Sequence, residues 1–406
     1  MPVQNAVNRR ALLALFAASG WRVGQSAPLT SSSAASQTKA SASERQRIEV
    51  GPDRPVKTIG AAAVLARDGA LIEVDAGDYR GDIAVWTQND LSLLAVGGRV
   101  RLIADGRSAE GKAIWVVRAE RMSVQGFDFT GAAVPDRNGA GIRLESGSLR
   151  VGDCAFTHNE YGILTGNQTD TVLEVEDSEF GYNGSKDHYF HNLYVGTIAR
   201  LTITGSYLHH AYRGHLLKSR AATSYVAYNR ITDEHDGNAS YELEFPSGGV
   251  AYVIGNVIQQ SPLSENVHLI SVGAEGYKWP SNELYLVNNT LIDNVPQGGV
   301  FLRVSPGADA VRVINNLLVG KGTWDIGVAA IFRNNPLVEA AEFAGLAKGD
   351  FHLKASSRAR GKATDAGFVN GVPLQPSREY VHPRHTVPIA PLPIQPGAMQ
   401  SLATKY

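Results

Sequence analysis

At 406 residues, 43% of them hydrophobic and 42 of them Gly, the chain is longer than one ordinary compact domain and can bury a large core. Its 38 Lys and Arg offset 39 Asp and Glu to a net charge of -1, which excludes the basic footprint needed to grip nucleic acid through phosphates. A lone cysteine, Cys154, cannot form an intramolecular disulfide, so the fold must hold without one.

In chain order, Asn8-Arg9-Arg10 precede an apolar run, Ala11 to Ala18, that is too short to span a membrane. Charge followed by an apolar stretch is the order of a secretory signal, so residues 1–27 are expected to direct export to the periplasm or the medium. The paired arginines resemble a twin-arginine signal. Residues 28–46 are a Ser/Ala-rich linker whose side chains cannot bury enough surface to fold. Ile59, Ala63 and Ala66 then share one helical face and Gly69 supplies a stop, which predicts a short helix capping the open end of the chain's main body.

A short pattern of apolar and small residues then recurs. Its copies are Val124/Phe127/Phe129, Val151/Cys154/Phe156, Val175/Ser178/Phe180, Ile203/Ser206/Leu208, Val226/Asn229/Ile231, Val253/Asn256/Ile258, Leu286/Asn289/Leu291 and Val313/Asn316/Leu318. Their first members lie 27, 24, 28, 23, 27, 33 and 27 residues apart, the spacing of one solenoid coil. Alternation within each copy has period two, so the units are strands, and each buries its apolar face only against its neighbours. Asn229, Asn256, Asn289 and Asn316 share a turn position where Asn tolerates left-handed backbone and its amide can bond the Asn one coil away. Cys154 and Ser206 hold the equivalent slot earlier, which makes Cys154 a small buried filler. Residues 47–367 are thus an all-β parallel solenoid, and the Pro-rich residues 368–406 an extended strap on its surface.

A second strand in each coil places Ile142, Ile163, Leu193, Leu217, Leu243, Leu269 and Leu302 inward. Tyr194, Lys218 and Glu244 then form one outward column, and Asn192, Glu242 and His268 its neighbour. Rungs of a parallel sheet stand about 4.8 Å apart, so members of a column touch. Six histidines, His188, His191, His209, His210, His215 and His235, fall between Asp187 and Asp236, together with Arg213 and Arg220. Groups able to donate and accept protons gathered on one wall mark a candidate active groove.

With these coils, the chain resembles the right-handed parallel β-helix superfamily of pectate-lyase-like proteins over roughly residues 50–367. Residues 56–63, leading to Gly77-Asp78-Tyr79, look like its capping helix and first strand, and Asp350-Phe351-His352-Leu353 is similar to its common final rung. Within it, Lys218-Ser219-Arg220 with Glu242-Leu243-Glu244 resembles β-helix lyases of the chondroitinase-B and alginate-lyase type, although here the acidic pair follows the Lys by one rung instead of preceding it. The resemblance implies β-elimination on a uronic-acid polysaccharide. Lys218 is the expected base, Arg220 neutralises the substrate carboxylate or assists departure, and Tyr194 or His215 supplies a proton to the leaving oxygen. Asn192, His191, His210, Arg213, His268 and Arg303 are the candidate substrate contacts. Because Glu244 beside Lys218 favours an ammonium, which is no base, calcium held by Glu242 and Glu244 would cancel that charge. A monomer acting on an extended polymer is expected.

Other readings remain open from the residues alone. Glu242 and Glu244, or one of them with Asp233 or Asp236, would serve a glycoside hydrolase, although carboxylates on one strand address the same face of a sugar. A C5-epimerase shares the proton abstraction. A non-catalytic carbohydrate-binding solenoid would need aromatic platforms, for which Tyr277, Trp279 and Phe301 are available. His209-His210 with His215 matches no zinc spacing.

Overall fold

The structure, a computed structural model, describes residues 45–185, 188–389 and 394–401. The expected export signal and all but the last residues of the linker therefore lie outside the described residues.

Strands in every central coil come in threes, as in His215–Ser219, Thr223–Ala227 and Arg230–Thr232. The first of each three builds a ten-stranded sheet running in chain order from Ala84–Trp86 to Thr323–Ile326. The other two build a 20-stranded sheet that bends around the remaining sides. All pairing within these two sheets is parallel, and across the repeated triplets the register runs residue for residue. Val124, Val151, Val175, Ile203, Val226, Val253, Leu286 and Val313 are successive partners, as are Phe129, Phe156, Phe180, Leu208, Ile231, Ile258, Leu291 and Leu318.

Identical side chains on successive rungs make internal ladders. Phe129, Phe156 and Phe180 stack with centroids 4.9 Å apart at each step. Asn229, Asn256, Asn289 and Asn316 are linked amide to amide at 3.0 Å, and Asn316 continues to Asn335 at 2.8 Å. The left-handed backbone sits one residue ahead of each ladder Asn, at Tyr228, Gly255, Asn288 and Asn315, and not on the Asn itself. The turn is made by that preceding residue, which leaves the Asn amide aligned along the stack. Cys154 is fully buried in the equivalent slot, where burial pushes its thiol up to about 12.

The cap helix spans Ile59–Leu65 with Thr58 as N-cap, and Asp82 accepts from the amides of Ile59 and Gly60 at 2.6 and 2.8 Å. It ends at an extended Ala66, earlier than the expected stop at Gly69, which serves the following turn. Ile59, Ala62 and Ala63 join the main core.

At the other end the last parallel strand is Ile331–Arg333, followed by a single parallel bridge from Leu318 to Leu337, short of residue 367. Asp350–Leu353 is not a final rung; it pairs antiparallel with Phe343–Gly345. A parallel partner requires a full coil of intervening chain, whereas here the short helical turn Leu346–Lys348 folds the strand straight back. The strap lies along the flank: Ser377 N donates to Tyr228 OH at 3.2 Å, Arg384 pairs with Asp153 at 3.4 Å, and Ala398 N donates to Thr290 Oγ1 at 3.1 Å.

Candidate active site

The ten-stranded sheet carries the site, and its strands do not simply alternate. Two consecutive residues per rung face inward: Leu216 with Leu217, Leu269 with Ile270, and Phe301 with Leu302 all belong to the main core. A Cβ added to Gly162, in the earlier of these two positions, would lie 2.7 Å from the Phe180 ring. Leu193, Leu217 and Leu243 are aligned, so the residue before each, Asn192, Leu216 and Glu242, shares the inner column.

Two expected site residues are therefore interior. Asn192 is 0% exposed, accepting from Asn183 Nδ2 and donating to His209 O, both at 2.7 Å. It extends a second ladder with Asn159 and Asn183. Glu242 is 1% exposed and, among the described residues, neither of its carboxylate oxygens has a hydrogen-bond partner. Burial, then Asp233, pushes its carboxyl well above the carboxylate range, so it is a neutral acid inside the coil. Burial likewise pushes Asp233 up to about 8. The register also slips by one in the next strand: Leu243 partners Ile270, not Leu269, which sets His268 against Tyr241, with centroids 6.1 Å apart.

Two outer columns flank the doubled inner one. The first holds Tyr161, His191, His215, Tyr241 and His268; the second holds Arg143, Leu164, Tyr194, Lys218, Glu244, Ser271 and Arg303. Lys218 Nζ and His215 Nε2 meet the same oxygen, Glu244 Oε2, at 2.9 and 3.0 Å. Arg220 donates to the Tyr194 phenol oxygen and its guanidinium lies 5.1 Å over that ring. His191 packs on His215 at 4.4 Å and accepts from its backbone amide at 2.8 Å.

Environment separates the charges of these groups. Burial holds His215 below the usual imidazole range although Glu244 opposes it, and burial with His215, Lys218 and Arg220 nearby drives His191 well below. Both rings are therefore neutral at pH 7. Burial opposes ionisation of Glu244, but His215 and Lys218 outweigh it and lower its carboxyl. Burial, with Tyr194 adding to it, pushes the Tyr161 phenol up to about 12.

Other expected contacts are more scattered. His210 lies in the turn before His215–Ser219, with Asp236 at 3.0 Å, and Arg213 in the same turn donates to Glu265 at 2.6 Å. Arg303 stands three rungs below Lys218 in its column, 3.7 Å from Asp325. Sequence reading missed Tyr161, which an alternation rule assigns to the wrong face. It also missed Glu275, which comes from the loop after His268–Val272, where no periodicity operates. Glu275 meets Lys218 at 3.1 Å and accepts from Arg220 at 2.6, 2.8 and 3.0 Å.

Calcium on Glu242 and Glu244 does not fit these residues. The two carboxyls face opposite sides of the wall, and Glu244 already has Lys218 and His215 against its oxygen. The same separation removes Glu242 and Glu244 as the carboxylate pair of a hydrolase. Of the aromatic platforms, Phe301 is buried, while half-buried Tyr277 donates to Ser305 O at 2.7 Å and half-buried Trp279 to Arg220 O at 3.0 Å.

No protein-family model and no curated protein matches the chain in sequence. Among solved structures, the crystal structure of pectate lyase Pel9A superposes with a TM-score of 0.60 over 88% of this chain and 97% of that one, at 13% identity. The chain has the pectate-lyase-like right-handed β-helix fold. In this β-helix the groups around Lys218 occupy the outer wall of the ten-stranded sheet. No helix among the described residues is long and apolar enough to cross a membrane.

Proposed function

We propose that the protein is an exported lyase that cleaves a uronic-acid polysaccharide by β-elimination on this wall. The observation that carries the reading is the convergence of Lys218, His215, Glu244, Tyr194 and Arg220 through direct contacts on one outer face. The solved pectate lyase of the same fold supports the polysaccharide class. The charge-then-apolar N-terminus supports export.

In the proposed step Lys218 takes the sugar C5 proton, the C4–O bond breaks as the C4=C5 double bond forms, and the Tyr194 hydroxyl protonates the departing oxygen. Tyr194 and Lys218 are direct partners on adjacent strands, within reach of one sugar ring. Arg220 neutralises the substrate carboxylate, which stabilises charge developing at C5. Glu244 Oε2 lies 2.9 Å from Lys218 Nζ and 3.0 Å from His215 Nε2, which fixes both side chains on the wall. No metal enters this step.

Incubation with polygalacturonate, alginate and glycosaminoglycans should give absorbance near 235 nm, about that of an unsaturated uronate, from one of them. New reducing ends without that absorbance would instead establish hydrolysis, and neither signal would leave a binding solenoid. Tyr194→Phe should remove turnover while retaining substrate binding.

A further inference from the structure

The carboxylate of Glu275 holds the place a substrate carboxylate would take. Arg220 grips it through Nε and Nη2, at 3.0 Å to one oxygen and 2.6 and 2.8 Å from Nη2 to the pair, and Lys218 Nζ reaches it at 3.1 Å. Such a fork on a carboxylate is how an arginine would hold a uronate. Yet Glu275 belongs neither to a strand nor to the core. It sits on the turn between Gly273 and Gly276, whose φ angles of 77° and 81° favour glycine, and its side chain is 38% exposed against 12% and 15% for Lys218 and Arg220. The anion is therefore on the solvent side of two largely covered cations. The carboxylate side of the pair already meets water, which lowers the cost of exchanging it for another anion.

We infer that Glu275 is a resident competitor for a carboxylate-binding subsite made by Arg220 and Lys218, and that a uronate binds by displacing it. The inference rests on the proposed function for its ligand class, since uronates are what such a lyase would hold. In the resting state Glu275 keeps both cations oriented and their charge balanced. A bound uronate restores the same contacts, whereas a neutral sugar leaves Lys218 with Glu244 alone and Arg220 with no carboxylate.

The probes are galacturonate and glucuronate, with galactose as neutral control, measured by calorimetry at low salt on the full chain. These monosaccharides contain no bond to cleave, so the readout is independent of turnover. Removing a competitor returns the fraction of sites it had occupied, so Glu275→Gln should tighten uronate binding about tenfold, with Glu275→Ala agreeing and galactose undetected throughout. Arg220→Gln should abolish uronate binding. Unchanged or weaker uronate binding in both Glu275 variants overturns the inference, and an equal gain for galactose overturns the carboxylate assignment. If binding tightens while no polysaccharide yields absorbance near 235 nm, the subsite stands and the lyase reading falls. If a polysaccharide is cleaved with that absorbance but uronate affinity does not shift, the lyase reading stands and the subsite falls.

Discussion

Glu242 and Glu244 lie two residues apart on one strand and behave as different chemical groups. Glu244 faces the outer wall, where His215 and Lys218 keep it ionised, while Glu242 faces the interior, where burial keeps it protonated and its oxygens have no partner among the described residues. The backbone supplies both with the same strand; the wall between them supplies the difference. A carboxylate's role is set by which side of the coil it reaches, because low dielectric penalises charge unless an opposite charge is at hand.

The largest effect that would test this contrast is on the outer side. Lys218→Ala should lower kcat by about 10²–10⁴-fold, the range for a positioned acid or base, with a circular dichroism melt that stays cooperative but moves down because buried Glu244 loses a partner. Unfolding of that variant would show Lys218 to be structural. On the inner side, Asn256→Ala should cost about 2–4 kcal/mol in denaturant unfolding. The substitution strips a buried amide that bonds Asn289 and Val226 O and leaves the Asn229 amide groups short of their acceptor. A loss under 1 kcal/mol would mean the ladder is decoration on an apolar core.

A smaller, pH-dependent effect comes from Asp233. Its folded value of about 8 lies above the roughly 3.9 of an unfolded chain, so between these limits the folded state holds a proton that the unfolded state has lost. Stability contributed by this group is full below pH 4 or so, falls by up to about 1.4 kcal/mol per unit as pH rises, and levels off above 8. Asp233→Asn should flatten that slope in urea melts from pH 5 to 9. An unchanged slope would place the proton elsewhere, on Glu242 first. The smallest expected effect is that of chelation: exhaustive EDTA should leave both melting temperature and lyase activity unchanged, and a loss of activity would restore a metal to the mechanism.

Much of the architecture was readable before folding. The triplets beginning at Val124 align as partners without a single slip, because apolar residues at period two and a coil-length spacing have no other way to bury their faces. The pairing of Lys218 with Glu244 followed from the same arithmetic, and so did the neighbourhood of Tyr194. Reading faltered where the chain departs from regular strand. Asn192 and Glu242 were expected outside, yet two inward residues in succession turn the earlier one into the core. Asp350–Leu353 looked like another rung and is a hairpin partner.

The sequence by itself determined that this chain is a parallel coil with one chemically rich wall, since period and spacing report which residues must hide from water. Tertiary structure alone decided which side of that wall each polar group reaches and which loop delivers Glu275. A doubled inward position and a turn leave no periodic trace, and a side chain's charge depends on neighbours brought from other coils.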